Sequence, residues 1–204
     1  MDRRGRVRVK ICGITNEEDA LMVSKLGADA IGFVFAESKR KITPERAKNI
    51  INKLPPFVTT VGIFVNAELE EVRRIADLAL LDAVQLHGHE SDEYCQKINR
   101  KVIKCIQVNE NDTKESLLKK MKTHYVSAFI LDPGKGDGKT FNWEIAREIE
   151  KPIIIAGGLT PLNVSEVIRE LNPYGVDVST GVEKSYGIKD KEKVEKFIRE
   201  AHSC

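Results

Sequence analysis

The fold of this chain is decided by a stretch near its start, residues 10–16, which reads KICGITN. Apolar and charged residues alternate up to this point, which predicts a β-strand with Lys10 and Cys12 on one face and the aliphatic side chains on the other. Gly13 predicts a tight turn directly after the strand, and Asn16 predicts the N-cap of a helix. The stretch therefore predicts a strand, a short loop and a helix, with a thiol where the strand ends.

The same unit of strand, polar loop and helix is repeated along the chain. After the first strand, apolar runs of strand length predict further strands at residues 30–35, 59–65, 83–86, 102–108, 128–131, 153–156 and 176–178. Amphipathic segments predict the helices, the sixth beginning near Asn142, the seventh opened by Thr160 and Pro161, and the last covering residues 191–201. Eight such units predict an α/β fold, a single-domain (β/α)8 TIM barrel over residues 1–204. Alternation alone leaves an open doubly wound sheet as the alternative.

Composition and charge limit the kinds of partner that we expect this chain to bind. With 33 basic and 31 acidic residues, the net charge of +2 produces no broad field for nucleic acid or an anionic membrane. The basic start is not followed by the apolar segment of a signal peptide, and no run approaches the length of a membrane span. The four cysteines show neither metal spacing nor the density of a disulfide scaffold. We therefore expect a cytoplasmic protein with reduced thiols, a small-molecule ligand, no bound metal and no cofactor.

In a barrel, the carboxyl ends of all eight strands meet at one mouth, so the residues there are considered together as a site. They are Cys12, the 38–41 loop with Arg40, His87, Gln107, Asp132, Gly157, Gly158, Ser179, Thr180 and Gly181. The small polar loops after strands 7 and 8 favour a phosphate held by backbone amides, although their glycines could also serve only to permit tight turns. His87 and His89 have too few companions for a metal site, and His87 favours a hydrogen bond to a ligand.

Cys12 and Asp132 are the two candidates for proton transfer, and each has a structural alternative. A free cysteine often serves as a small buried apolar residue. The Asp132 carboxylate could cap its own loop through an Asx turn, or its apolar neighbours could raise its pKa so that it donates a proton near neutral pH. A cysteine that accepts a proton needs a lowered pKa, for which the nearby Lys10 and the surroundings of a bound substrate are the candidate causes.

Ordered motifs at the strand ends carry a family resemblance. They occupy residues 9–15, 27–35, 38–40, 61–66, 84–88, 131–132, 138–143, 156–159 and 177–183, from the first strand to the last. On these motifs the chain resembles the phosphoribosylanthranilate isomerases, barrel enzymes of tryptophan biosynthesis. The resemblance implies an aldose–ketose isomerase for the Amadori rearrangement of N-(5-phosphoribosyl)anthranilate to the corresponding 1-deoxyribulose 5-phosphate.

The resemblance also implies a role for each matching residue. Asp132 would be the general acid that protonates the ribose ring oxygen, and the Cys12 thiolate would be the general base that removes the C2 proton. Arg40 would lie near the anthranilate end of the substrate, and Asp177 would contact the sugar. The phosphate would bind to the two glycine loops.

One loop departs from the family pattern. After Asp132 the family has a longer glycine-rich loop, which Pro133 and Gly134 shorten here, while Asp137 replaces a hydroxyl residue and Asn142 replaces an aspartate. The departure bears on loop closure and on substrate range, including whether a second aminoaldose, the imidazole intermediate of histidine biosynthesis, is accepted.

Other functions are compatible with the same fold. Indole-glycerol-phosphate synthase would place catalytic lysines where Phe35 and Asp132 lie, and a metal-dependent pentose epimerase would need several converging histidines and carboxylates. A barrel that binds a phosphosugar without catalysis would keep the glycine loops but would not need both Cys12 and Asp132. The sequence leaves the oligomeric state open between monomer and homodimer.

Overall fold

A computed structural model describes residues 6–122, 125–134 and 140–204. Across this part of the chain, eight parallel strands close into a barrel in which each strand pairs with the next and the last pairs with the first. The strands are β1 (Arg8–Cys12), β2 (Ala30–Val34), β3 (Thr59–Phe64), β4 (Ala83–Leu86), β5 (Lys101–Gln107), β6 (Ala128–Asp132), β7 (Ile153–Ile155) and β8 (Gly175–Val178). Closure excludes the open doubly wound sheet, and the prediction of a (β/α)8 barrel is confirmed.

Helices follow the strands and cover the outside of the barrel. They are α1 (Glu17–Lys25), α2 (Pro44–Ile51), α3 (Leu69–Ala79), α4 (Asp92–Gln96), α5 (Lys114–Lys120), α6 (Val164–Leu171) and α7 (Lys191–His202). Side chains cap their first turns: Asn16 Oδ1 accepts from Asp19 N at 2.8 Å, and Thr43 Oγ1 accepts from Arg46 N at 3.2 Å. The predicted N-cap at Asn16 is therefore confirmed.

Strand alternation divides the apolar core into two layers. The larger layer lies between the strands and the helices and includes Ile11, Phe33 and Leu131. The smaller layer fills the barrel interior, with Ile130 and Ile154 opposite each other in the register of β6 and β7. The mouth of the barrel therefore opens above a small apolar floor.

The first strand carries its side chains as the sequence predicts. Lys10 is register partner to Asp177 in β8, and Cys12 is register partner to Gly32 in β2. Lys10 and Cys12 turn into the barrel, while the aliphatic side chains face the helices. Gly13 follows with φ of +77°, which confirms the predicted tight turn.

The segment after β6 does not form the predicted sixth helix. A 3₁₀ turn at Trp143–Ala146 takes its place, with Asn142 Oδ1 accepting from Glu144 N at 3.1 Å. Glu148 then adopts φ of +58°, which ends helical geometry, and Pro152 disfavours helix in the residue before it. The predicted start near Asn142 is therefore confirmed, but the segment is a short 3₁₀ turn and not an α-helix, because extended geometry at Arg147 and positive φ at Glu148 end it.

The next helix, α6, begins later than predicted. Thr160 N donates to Asn163 Oδ1 at 2.8 Å, so Thr160 and Pro161 lie in a turn ahead of the helix and not in its first turn. Thr160 Oγ1 accepts from Leu162 N at 3.2 Å, so Thr160 caps the turn that leads into the helix.

A short antiparallel hairpin after β8 was not predicted. Its strands are β9 (Glu183–Ser185) and β10 (Ile188–Lys189), and a 3₁₀ turn at Thr180–Val182 leads into it. Two charged residues, Glu183 and Lys189, are buried by this hairpin. The strands are too short and too polar to show the apolar alternation that sequence patterns depend on.

Part of one sequence motif and one altered loop residue fall outside the described ranges. Asp137 and the start of the 138–143 motif lie outside the described residues. Within the described ranges, none of the helices combines the length and the apolar character that crossing a membrane requires.

Candidate active site

The carboxyl ends of the strands surround a cavity of about 330 Å³. The structure brings together around it most of the residues that the sequence analysis proposed for the site: Cys12, Arg40, His87, Asp132, Gly157, Gly158, Asp177, Ser179, Thr180 and Gly181. Gln107, which was also expected at the mouth, is exposed and lies against Gly134 outside the cavity lining.

Cys12 is the last residue of β1, and its half-buried side chain faces the cavity. The buried Lys10 donates to Asp177 Oδ1 at 2.8 Å, and its positive charge acts on the Cys12 thiol. Burial raises the pKa of the Cys12 thiol, and the positive charges of Lys10 and Lys189 offset this only in part. Lys10 alone therefore does not lower the thiol pKa in the free protein, because desolvation of the thiolate outweighs the nearby cations.

Asp132 ends β6, three strands from β1 around the barrel. Its Oδ1 accepts a hydrogen bond from Gly134 N at 2.7 Å, which is the Asx turn considered as the structural alternative. The same half-buried carboxylate lines the cavity. Asp132 therefore both shapes the start of its loop and faces the space where a ligand would lie.

Arg40 enters from the loop after β2 and is held by three neighbours. Its Nε and Nη2 donate to the two Glu183 carboxylate oxygens at 2.8 and 2.6 Å. Nη2 also donates to Thr180 Oγ1 at 2.9 Å, and the Tyr186 ring centre lies 5.0 Å from the guanidinium carbon. A two-pronged pair of this kind fixes the guanidinium plane. Within the described residues Nη1 has no acceptor, so this nitrogen can donate to a ligand.

Gln85 and His87 form a pair on the inner side of β4. Gln85 Nε2 and His87 Nδ1 lie 3.1 Å apart, and both residues line the cavity. Gln85 is buried, and its Oε1 has no hydrogen-bond partner among the residues that the structure describes. A buried acceptor without a partner beside a cavity favours a ligand that donates to it. The sequence analysis gave Gln85 no role, because one glutamine in an apolar run carries no signal until its neighbours are known.

The loops after β7 and β8 form one wall of the cavity. Gly157 and Gly158 have φ of +81° and +63°. The two loops touch, since a Cβ at Gly181 would stand 1.9 Å from Leu159 O, so only glycine fits there. Ser179 Oγ is buried in the same wall with no partner in the described part of the chain. Backbone amides and an unpaired hydroxyl in a concave wall suit a phosphate group.

Glu183 and Lys189 are the charged residues of the site that the sequence analysis missed. Lys189 Nζ donates to Glu183 Oε1 at 2.9 Å and to Cys12 O at 2.6 Å. Glu183 falls inside the 177–183 motif, which was the available signal, but its partner lies on a strand that no pattern predicted. Among the described residues, no cluster of three or more histidine, cysteine or carboxylate side chains is placed to hold a metal ion.

Fold and site together define the chain as an enzyme of the (β/α)8-barrel class, with its reactive groups and two glycine loops around one mouth. The model of one family, N-(5'-phosphoribosyl)anthranilate (PRA) isomerase, matches residues 9–200. The chain belongs to this family, and the resemblance inferred from its strand-end motifs is confirmed.

Similar proteins agree over nearly the whole length. An N-(5'-phosphoribosyl)anthranilate isomerase of Geotalea uraniireducens is 51% identical over 202 residues, covering 95% of this chain and 98% of that protein. The crystal structure of phosphoribosyl anthranilate isomerase from Thermotoga maritima has a TM-score of 0.89 at 43% identity, covering 97% of this chain and 100% of that one. A crystal structure of a phosphoribosyl anthranilate isomerase in complex with reduced 1-(o-carboxyphenylamino)-1-deoxyribulose 5-phosphate has a TM-score of 0.87 at 42% identity, with coverage of 97% and 100%.

Proposed function

We propose that this chain converts N-(5-phosphoribosyl)anthranilate to 1-(2-carboxyphenylamino)-1-deoxyribulose 5-phosphate, a step of tryptophan biosynthesis. Family membership and the relatives described above support this activity. The similar barrel that binds a reduced form of this deoxyribulose phosphate supports it further. At the site, the observation that carries the proposal is that Cys12, Asp132 and the two glycine loops line one cavity.

The reaction requires one proton to be given and another to be taken at different atoms of one substrate. Asp132 donates a proton to the ribose ring oxygen, the bond from that oxygen to C1 breaks, and the anthranilate nitrogen forms an iminium with C1. The Cys12 thiolate removes the C2 proton, which gives an enolamine. C1 then takes up a proton as the C2 hydroxyl becomes the ketone, so electrons only rearrange within the substrate.

The two charged ends of the substrate bind to different groups of the cavity lining. Arg40, held by Glu183, turns Nη1 to the anthranilate carboxylate. Asp177 accepts from a sugar hydroxyl, and His87 hydrogen-bonds the substrate from β4. The phosphate binds to the wall formed by Gly157, Gly158, Ser179, Thr180 and Gly181.

The activity is tested by generating the labile substrate in place from anthranilate and phosphoribosyl pyrophosphate and following the loss of its fluorescence. We expect the wild type to turn over, and Cys12→Ser and Asp132→Asn each to lose about a hundredfold or more in kcat, as removal of a general acid or base does. Both variants should still bind the reduced product in a calorimeter. Cys204→Ser, at an exposed cysteine, is the matched control and should keep wild-type turnover.

The outcomes separate the candidate functions. A wild type that binds the reduced product without turnover would indicate the non-catalytic phosphosugar barrel. A wild type that turns over while one variant keeps most of its rate would overturn the role of that residue and leave the reaction standing.

We also propose that residues 1–204 form one domain, that the protein is cytoplasmic, and that it is a monomer or a homodimer. The closed barrel supports the first statement, and four free cysteines are compatible with a reducing compartment. A single calorimetric unfolding transition, cell fractionation and light scattering test these statements in turn.

A further inference from the structure

A buried ion pair on the hairpin after β8 touches the proposed base. The Lys189 side chain is 0% exposed and the Glu183 side chain is 3% exposed. Lys189 Nζ donates to Glu183 Oε1 at 2.9 Å and to the main-chain oxygen of Cys12 at 2.6 Å. The hairpin therefore places a cation against the end of β1, and Lys189 does not line the substrate cavity.

The Glu183 carboxylate of this pair also binds Arg40. Glu183 accepts hydrogen bonds from Lys189 Nζ and from Nε and Nη2 of Arg40, so one carboxylate binds two cations. Gly187 N also donates to Glu183 Oε1, at 3.3 Å, which closes the hairpin around the carboxylate. A buried carboxylate with this many donors is fully engaged, and the position of the Lys189 ammonium is set by it and by Cys12 O.

We propose that Lys189 is a positioning residue for Cys12, which fixes the end of β1 through the Cys12 carbonyl and favours the thiolate through its charge. The proposal rests on the proposed function in one respect, that the thiolate is the base. Among the described residues, the charged side chains that act on Cys12 include Lys10 from β1, Asp177 from β8, Arg40 from the loop after β2, and Lys189 from β10. Lys189 differs from the others because it also bonds the main chain of Cys12.

The charge on Lys189 and the charge on Cys12 are coupled in both directions. Burial lowers the pKa of Lys189, while Glu183 and the Cys12 thiolate act to raise it. Burial raises the pKa of Cys12, while Lys10 and Lys189 act to lower it. Because such coupling is reciprocal, removal of either charge must shift the titration of the other.

The main test measures the thiol directly, without turnover. In a Cys204→Ser background, which removes the exposed cysteine, the rate of Cys12 alkylation by iodoacetamide is followed against pH. We expect Lys189→Met to move the alkylation midpoint up by about one pH unit. Turnover at pH 7 should then fall about tenfold, with KM little changed, because the thiolate fraction falls by that factor.

Lys193→Met is the matched control. Lys193 Nζ donates to the main-chain oxygen of Glu183 at 2.9 Å, so it contacts the same hairpin without contacting Cys12. It should leave the alkylation midpoint and kcat unchanged. Lys189→Gln keeps a hydrogen-bond donor without charge, and it should move the midpoint in the same direction as Lys189→Met.

A second measurement leaves Lys189 in place, so it does not depend on the Lys189 variants folding. NMR with ¹³Cε-labelled lysine follows the titration of Lys189 in the wild type and in Cys12→Ser. The Lys189 pKa should be lower in Cys12→Ser, where no thiolate can form. An unchanged Lys189 titration, or a folded Lys189→Met with the wild-type alkylation midpoint, would overturn the proposal. Failure of the proposed function would appear separately. The wild type would then show no turnover, although its alkylation midpoint would still lie below that of Lys189→Met.

Discussion

The Lys10 ammonium lies 2.8 Å from the Asp177 carboxylate, at the seam where the last strand of the barrel meets the first. The two side chains are 5% and 9% exposed. Burial acts to lower the pKa of Lys10, but the charges of Asp177 and Cys12 outweigh it and the pKa is raised. Lys10 therefore stays charged. Its ammonium links the last strand of the barrel, through Asp177, to the Cys12 thiol of the site.

Breaking this pair from one side should be costly. Lys10→Met leaves the Asp177 carboxylate buried without its partner, and we expect a loss of about 3–5 kcal/mol in the free energy of unfolding. The double variant Lys10→Met/Asp177→Leu should lose less than the single one, because no uncompensated charge remains. Urea unfolding at neutral pH measures both.

The control for this prediction is a surface pair of similar length. Lys53 and Glu17 lie 2.6 Å apart with side chains about half exposed. Lys53→Met should cost less than about 1 kcal/mol. A double variant at the seam that is less stable than Lys10→Met would contradict the argument, since it would mean that the remaining carboxylate carries no penalty.

Gly181 controls the contact between the two glycine loops. Because its Cβ would stand 1.9 Å from Leu159 O, Gly181→Ala must push the loops apart. We expect the KM of the substrate and the Kd of the reduced product to rise about tenfold or more as backbone donors lose their positions. Gly27→Ala is the control, because Gly27 also has positive φ but has only Ile198 nearby, at 3.9 Å. It should lower stability and leave KM unchanged, and equal KM effects from both would contradict the prediction.

Gln85 should matter for binding more than for stability. Its buried Oε1 has no partner in the described ranges, so Gln85→Met removes an unsatisfied acceptor together with the single contact from Nε2 to His87 Nδ1. Such a change should leave the free energy of unfolding within about 1 kcal/mol of wild type. The KM of the substrate should rise about tenfold if the ligand donates to Oε1. Parallel urea unfolding and kinetics check both parts, and a destabilised variant with unchanged KM would assign Gln85 to the fold alone.

The fold was predictable where one face or both faces of an element are apolar. The eight strands and the helices with clear amphipathic spacing lie close to their predicted places, since burial fixes their pattern. The segment around Trp143–Ala146 was not predictable in this way, because the backbone geometry at Arg147 and Glu148 that ends the turn leaves no apolar pattern. The hairpin at Glu183–Ser185 and Ile188–Lys189 was not predicted, because its buried charged residues leave no apolar pattern in the sequence.

The positions of the candidate site residues at the strand ends could be predicted from the sequence. The interactions among their charges could be predicted less well. Once a barrel is assumed, Cys12 and Asp132 must face one mouth, and the structure places both at the cavity. The direction of the Cys12 pKa could not be predicted, because it depends on how much burial outweighs Lys10. Glu183 could not be assigned either, since its partners Arg40 and Lys189 come from distant parts of the chain.

Glu90 gives a prediction about acid stability. It lies 2.6 Å from Lys104, accepts from Asn66 N at 2.8 Å, and its side chain is 2% exposed. Burial acts to raise the pKa of Glu90, but the hydrogen bonds from Lys104 and Asn66 outweigh it and the pKa is lowered. A carboxyl with a lower pKa in the folded state adds stability above its unfolded pKa, and this stability is lost as pH falls through the folded pKa.

Glu90→Gln should therefore be less stable than the wild type at pH 7, and the difference should shrink as pH falls below about 4. Urea unfolding at a series of pH values gives the two stability curves. Glu37→Gln is the control, because the Glu37 side chain is 91% exposed and its pair with Lys41 is solvated, so its difference from wild type should stay small throughout. A Glu90→Gln curve that runs parallel to the wild type down to acid pH would show that the Glu90 charge adds nothing to stability and that Lys104 is held by the Gly88 carbonyl alone.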